Sequence, residues 1–184
     1  EDGCTPLYTA AQKGKVHVAD ALVKAGVDVD KADKYGYTPL YVAAQEGMVD
    51  VAVALMKAGA HVDKTDNDGA TPLHVAARHG KVDVAVALIN AGADVDNALE
   101  DGYTPLHAAA EEGMADVAVA LLNAGADMTI ADKHGNTPRY VAAREGKMDV
   151  VVALMKAVDK VDKYGRTQLH VAAFDGKVDV AVAL

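Results

Sequence analysis

The sequence repeats itself, and the repeat limits what the chain can become. A glycine opens the same block at Gly3, Gly36, Gly69, Gly102 and Gly135, each 33 residues after the last, and again 30 residues later at Gly165. A fixed period of this size marks a stack of small units rather than a single globular core. The clearest copy is Gly69-Ala70-Thr71-Pro72-Leu73-His74-Val75-Ala76-Ala77-Arg78-His79-Gly80. It reads as a short helix. Thr71 can cap the start, Pro72 suits the first helical position, and Gly80 supplies a left-handed residue beyond the end. Leu73, Ala76 and Ala77 stand at i, i+3 and i+4 and give one narrow apolar face. The alanines let a second helix approach closely.

That second helix is Gly47-Met48-Val49-Asp50-Val51-Ala52-Val53-Ala54-Leu55-Met56-Lys57-Ala58-Gly59 and its counterparts. Asp50 lies near its positive end, Lys57 near its negative end, and Gly59 closes it. Its expected buried stripe is Val49, Ala52, Leu55 and Met56. The stretch from Ala60 to Gly69 is polar and rich in turn formers, so it reads as an extended, hairpin-like loop. One such unit cannot bury its own apolar face, but six in a row can, which specifies a solenoid. Composition agrees: 51% of residues are hydrophobic, yet there is one Phe and no Trp, which suits thin layers of close-packed helices.

The Thr-Pro-Leu-His-x-Ala-Ala signature at Thr71 to Ala77 and Thr104 to Ala110, with Tyr in place of His at Tyr8, Tyr41 and Tyr140, resembles the ankyrin-repeat family over essentially the whole chain. The resemblance implies an all-α repeat solenoid of helix–turn–helix units, each with a β-hairpin-like loop. These would form one ankyrin-repeat domain over residues 1–184, with repeats at about 1–32, 33–65, 66–98, 99–131, 132–161 and 162–184 and the first and last incomplete. It also implies a curved array whose hairpin tips and first helices line a concave, protein-binding groove.

Several positions depart from the pattern. Arg139 stands where the motif wants a buried Leu, so its long cation must snorkel or find a partner. Gln168 replaces the helix-opening Pro, and Leu99 replaces the Asp that usually begins the hairpin turn. Inserting Gly-Ala-Asp after Ala157 would restore the period, so the joint from Ala157 to Asp162 is either short by three residues or lacks three in the record. Val178, Val180 and Leu184 belong to an internal-type helix, so an unsatisfied C-terminal face is expected, covered by more chain or a neighbouring molecule.

A net charge of −9 leaves no basic footprint for a nucleic-acid backbone. No apolar run approaches a membrane span, and Cys4, the single cysteine, excludes an internal disulfide and suits a reducing, cytoplasmic setting. His74, His107 and His170 recur in equivalent places, about 8–10 Å apart in neighbouring layers, too far to share a metal, and read as braces of the repeat. Asp63 to Gly69 fails the calcium-loop frame, because Lys64 and Val75 fall where ligands belong. There is no serine, no glycine-rich phosphate cradle, and no base fixed beside Cys4 by the sequence. The chain is read as a non-enzyme with no metal and no cofactor.

In a repeat protein the positions that change are free to bind. The candidate partner-binding residues are Tyr35, Tyr37, Arg78, His79, Glu100, Asp101, Tyr103, Glu111, Glu112, His134, Arg144, Tyr164, Arg166 and Phe174. They hold much of the scarce aromatic content, and aromatics are favoured anchors at interfaces. Repeat four gathers Glu100, Asp101, Glu111 and Glu112 around Tyr103, which calls for a protein partner with basic residues around an apolar contact, while its acidic groups reach Arg78 or Arg144. A second row, Val53, Val86, Val119, Val152 and Val182 with Asp20 as the polar exception, is either a lateral self-association surface or scattered exposed valine. The function expected is a protein-interaction module or scaffold. Alternatives are the targeting or regulatory arm of a larger enzyme or channel, or an engineered consensus-like scaffold.

Overall fold

The computed structural model describes residues 3–158, which form ten α-helices in five stacked pairs. The first helix of each pair is α1 (Pro6–Gln12), α3 (Pro39–Glu46), α5 (Pro72–Arg78), α7 (Pro105–Glu112) or α9 (Pro138–Arg144). The second is α2 (Val16–Lys24), α4 (Val49–Lys57), α6 (Val82–Asn90), α8 (Ala115–Asn123) or α10 (Met148–Val158). The expectations placed on Tyr164, Arg166, Gln168, His170, Phe174, Val182, the joint running to Asp162 and the face ending at Leu184 lie outside the described residues.

Every first helix starts as its sequence dictates. The Tyr41 N–H donates to Thr38 Oγ1 at 3.1 Å, with Pro39 at the first position, and Thr5, Thr71, Thr104 and Thr137 cap their helices the same way. The second helices α2, α4, α6 and α8 have no side-chain cap. Instead Asp50, Asp83, Asp116 and Asp149 lie in the first turn of their helices, where their charge opposes the positive end. Gly47 ends α3 at φ +79°, and a Cβ there would fall 2.9 Å from Lys81 Cδ in the next layer. The left-handed conformation is what calls for glycine, since the flexible Lys81 side chain could move aside.

First helices pack on first helices and second on second: α5 lies between α3 and α7, and α6 between α4 and α8. Leu40, Leu73 and Leu106 on one row and Leu55, Leu88 and Leu121 on the other are fully buried. Between them sit Ala43–Ala44, Ala76–Ala77 and Ala109–Ala110, also fully buried, and these small side chains set the close spacing. The second helices are buried more widely than a single stripe. Val51, Ala52 and Leu55 are sealed while Val49 and Met56 are half-buried against the core, because a helix held between two neighbours buries a broad face. Arg139 is half-exposed where the equivalent leucines are sealed.

The loops end in tight turns, without β-strand among the described residues. In the second layer Asp33 N–H donates to the Tyr37 carbonyl at 3.1 Å and Gly36 N–H to the Asp33 carbonyl at 3.2 Å, while Asp33 Oδ1 accepts from the N–H groups of Tyr35 and Tyr37, both at 2.9 Å. Asp66 and Asp132 do the same for their turns. Leu99 cannot, yet its turn closes through the backbone, with Leu99 N–H on the Tyr103 carbonyl at 3.0 Å. Neighbouring tips are also stitched: Asn67 N–H donates to the Tyr35 carbonyl at 3.0 Å and Lys133 N–H to that of Asp101 at 2.6 Å. Gly36 belongs to this contact, since a Cβ there would lie 2.7 Å from Asn67 N.

Candidate partner-binding face

Two rows of side chains meet on one face: the hairpin tips and the ends of the first helices. Tyr103, on the fourth tip, donates its hydroxyl to Glu111 Oε2 in the last turn of α7, and its ring centroid lies 5.3 Å from that of His107. Tyr37 stacks on Tyr41 of α3 at 4.6 Å and 10°. Exposed Tyr35 continues the stack at 5.7 Å from Tyr37, with Lys34 Nζ 4.8 Å from its centroid, within cation–π range.

The other candidate residues fall into two groups. Arg78 and His79 are exposed at the end of α5, as are Glu112 at the end of α7 and Glu100 and His134 on the tips. Asp101 and Arg144 are engaged within the chain. Asp101 Oδ1 accepts from Tyr103 N–H at 3.2 Å, and its Oδ2 lies 3.8 Å from Lys133 Nζ. Arg144 Nε donates to Glu145 Oε1 at 2.8 Å. The acidic patch of the fourth layer is thus partly tied down, and among the described residues Glu100 and Glu112 are its exposed carboxylates without a hydrogen bond or ion pair.

The histidines brace the stack. His107 Nδ1 accepts from Thr104 N–H at 3.1 Å, and its Nε2 faces the Asn136 carbonyl of the next tip at 3.0 Å. His74 repeats this with Thr71 N–H and the Tyr103 carbonyl, 3.1 Å from its Nε2. A carbonyl needs a donor, so each ring is the Nε2–H tautomer. Burial pushes both imidazoles below their ordinary pKa, against the pull of the carbonyl bond. The unfolded chain therefore takes up protons first as pH falls. Stability should decline from about pH 6.5 downward, and a His74→Gln, His107→Gln variant should lose that slope in melts between about pH 7 and 5. Burial raises Asp63 and Asp96, which act in the opposite sense, closer to the ordinary carboxylate range.

Two features escaped the sequence reading. Tyr41 is a wall of the aromatic stack, and its hydroxyl donates to Asp66 Oδ2 at 2.9 Å in the next layer. The signal was a Tyr in the motif's His position followed by an Asp at the next turn. The second is a carboxylate ladder behind the tips: Asp30 accepts from His61 N–H at 3.1 Å and meets its Nδ1, Asp63 accepts from Asp94 N–H at 3.3 Å, and Asp96 from Asp127 N–H at 2.9 Å. The 33-residue spacing of Asp30, Asp63 and Asp96 was visible.

Of the valine row, Val86, Val119 and Val152 are exposed and Val53 half-buried; single exposed valines are ordinary on protein surfaces. Among the described residues no three His, Cys, Asp or Glu side chains are grouped to hold a metal, and no helix is long and apolar enough to cross a membrane.

Stacked helix pairs with capped turns, braced layer to layer, define a repeat solenoid. A family model described as ankyrin repeats matches residues 1–66, 55–132 and 113–184, and the chain belongs to the ankyrin-repeat family, whose members are in general protein-interaction modules. A search of the curated proteins returned no match.

Proposed function

We propose that the six repeats form one domain that binds a protein partner through the face built from hairpin tips and first-helix ends, the concave groove of the family. The partner presents Lys or Arg around an apolar contact centred on Tyr103. One observation carries this reading: the bond from Tyr103 to Glu111 puts a half-buried aromatic of the tip row and an acidic group of the helix row in a single patch. The charge also lacks a helix-stabilising role. Glu111 and Glu112 end α7, where the negative end of the helix dipole disfavours carboxylates. The exposed, unpaired Cys4 suits a reducing cytoplasm.

Affinity capture with the intact chain and with a Glu100→Lys, Glu112→Lys variant tests the assignment, followed by kinetics on the captured partner. Those two positions are chosen because neither holds the fold. The variant should associate more slowly and with a flatter salt dependence. Tyr103→Ala should cost about 2 kcal/mol of binding, mostly through faster dissociation. An unchanged association rate and salt slope in the charge variant would make the acidic patch mere solvated surface.

A further inference from the structure

Threonine supplies every aliphatic hydroxyl of this chain, which has no serine, and the fold uses nearly all of them. Thr5, Thr38, Thr71, Thr104 and Thr137 cap first helices. Thr9 Oγ1 donates to the Thr5 carbonyl at 3.3 Å, and Thr129 Oγ1 to Asp127 Oδ1 at 2.5 Å. Thr65 is different. It is exposed in the loop ahead of the third tip, and among the described residues neither its hydroxyl nor its backbone N–H or carbonyl makes a hydrogen bond. The equivalent positions in the other layers are Ala32, Ala98 and Ala131, so the repeat has no use for a hydroxyl there.

The residues after Thr65 define what acts on it. Asp66 follows directly, and exposed Asp68 stands three positions on. Protein kinases choose substrates partly by charge pattern, and carboxylates just after the acceptor suit a kinase whose substrate cleft is basic. Thr129 has the same spacing, with Asp132 three positions on. There the fold withholds both groups. Thr129 is half-buried and bonded to Asp127, while Asp132 accepts from Asn136 N–H at 2.8 Å and from Asn136 Nδ2 at 2.9 Å. Two threonines carry the pattern, and packing leaves one of them available.

We propose that Thr65 is a phosphorylation site for an acid-directed serine/threonine kinase, and that the phosphate loosens the third tip. Thr65 Oγ1 bonds to the γ-phosphorus of ATP, the bond from that phosphorus to the bridging oxygen breaks, ADP leaves, and the hydroxyl proton passes to the kinase's base. The product carries about two negative charges near neutral pH, one residue from buried Asp66. That carboxylate accepts the Tyr41 hydroxyl at 2.9 Å and the N–H groups of Asp68 and Ala70 at 2.9 and 2.8 Å. The neighbouring cation is already engaged, with Lys64 Nζ 3.2 Å from the Asp30 carbonyl. Repulsion therefore falls on the carboxylate that closes the turn. Asn67 of that turn holds the second tip, donating its N–H to the Tyr35 carbonyl and its Nδ2 to the Lys34 carbonyl, both at 3.0 Å. Phosphorylation thus opens the seam between two neighbouring tips, and it does so whether or not a partner binds there.

The test incubates the whole folded chain with magnesium ATP and casein kinase II, takes the arginine-directed cyclic-AMP-dependent kinase as control, and maps phosphate by mass spectrometry. Phosphate should enter at Thr65 and leave Thr129 unmodified. Thr65→Val should abolish the labelling. Asp68→Asn, at an exposed side chain, should slow it about fivefold, the worth of one exposed charge contact. On the phosphorylated chain, amide hydrogen exchange should quicken from Asn67 to Ala70 and stay unchanged in α7 and α8. No incorporation, equal labelling of Thr129, an unaltered rate in Asp68→Asn, or faster labelling by the control kinase overturns the site. Unchanged exchange from Asn67 to Ala70 in the phosphorylated chain overturns the loosening of the tip.

Discussion

Leu106→Ala should lower the unfolding free energy by about 4 kcal/mol, measured by denaturant unfolding of the whole chain. Leu106 is fully buried on α7, which packs between α5 and α9. The helices packed in this part of the stack carry small side chains, and Ala76, Ala77, Ala109 and Ala110 are all sealed. Alanines have no side chain to swing into the space, so the cavity should persist and the cost should sit in the upper part of the usual range. The position also matters. A solenoid is held by contacts between neighbouring layers, so weakening this internal layer should uncouple the two sides and broaden or split the transition. Leu7→Ala, in the first layer, removes a comparably buried side chain. It should fray that end and leave hydrogen-exchange protection of α5 to α8 intact. A Leu106→Ala chain that unfolds in one sharp step with a loss under about 1 kcal/mol would show that the layers are not coupled as described.

His74→Tyr should cost about 1–2 kcal/mol more than His107→Tyr, although the two histidines make the same bonds. The second layer already carries Tyr at this position, and there the hydroxyl of Tyr41 donates to Asp66 in the following turn. A tyrosine at 107 would meet Asp132 in the corresponding place. That carboxylate caps its own turn through Oδ1 and takes Asn136 Nδ2 on Oδ2 at 2.9 Å, which leaves a lone pair free. A tyrosine at 74 would meet Leu99, which accepts nothing, and a half-sealed hydroxyl without a partner pays its desolvation in full. Both variants forfeit the bond from the threonine N–H to the ring, so that loss cancels in the comparison. Thermal or denaturant unfolding of the two single variants reads the difference directly. Adding Leu99→Asp to His74→Tyr should recover it.

The pairing of His74 with Leu99 and of Tyr41 with Asp66 shows how far the sequence carried. Because each layer is a local unit built from residues about 33 positions apart or fewer, most of what fixes it is written within one repeat. The threonine cap, the proline start, the glycine stop and the alanine face were legible as residues, and all of them stand in the described layers. So was the solenoid itself, since a helix pair with one narrow apolar face has nothing to bury it against except another copy. The position of Arg139, out of the sealed core, followed from its length and charge.

Contacts between layers were decided by the tertiary structure. Val51 is sealed and Val49 only half-buried, because burial of a second helix depends on two neighbours that a single-helix pattern does not contain. The bonds from His74 and His107 go to carbonyls of the next tip, and those from Asp30, Asp63 and Asp96 to N–H groups one layer on; such partners depend on how layers are rotated on each other. The binding face divides in the same way. Variation among repeats picked out Tyr103, Glu111, Asp101 and Glu100 together, but only the fold separates the carboxylates held by Tyr103 and Lys133 from those left free. The sequence by itself determined the repeating unit, through short-range caps and periodicity. Which charges remain available to a partner was settled by packing, because a side chain's freedom depends on what the adjacent layer places beside it.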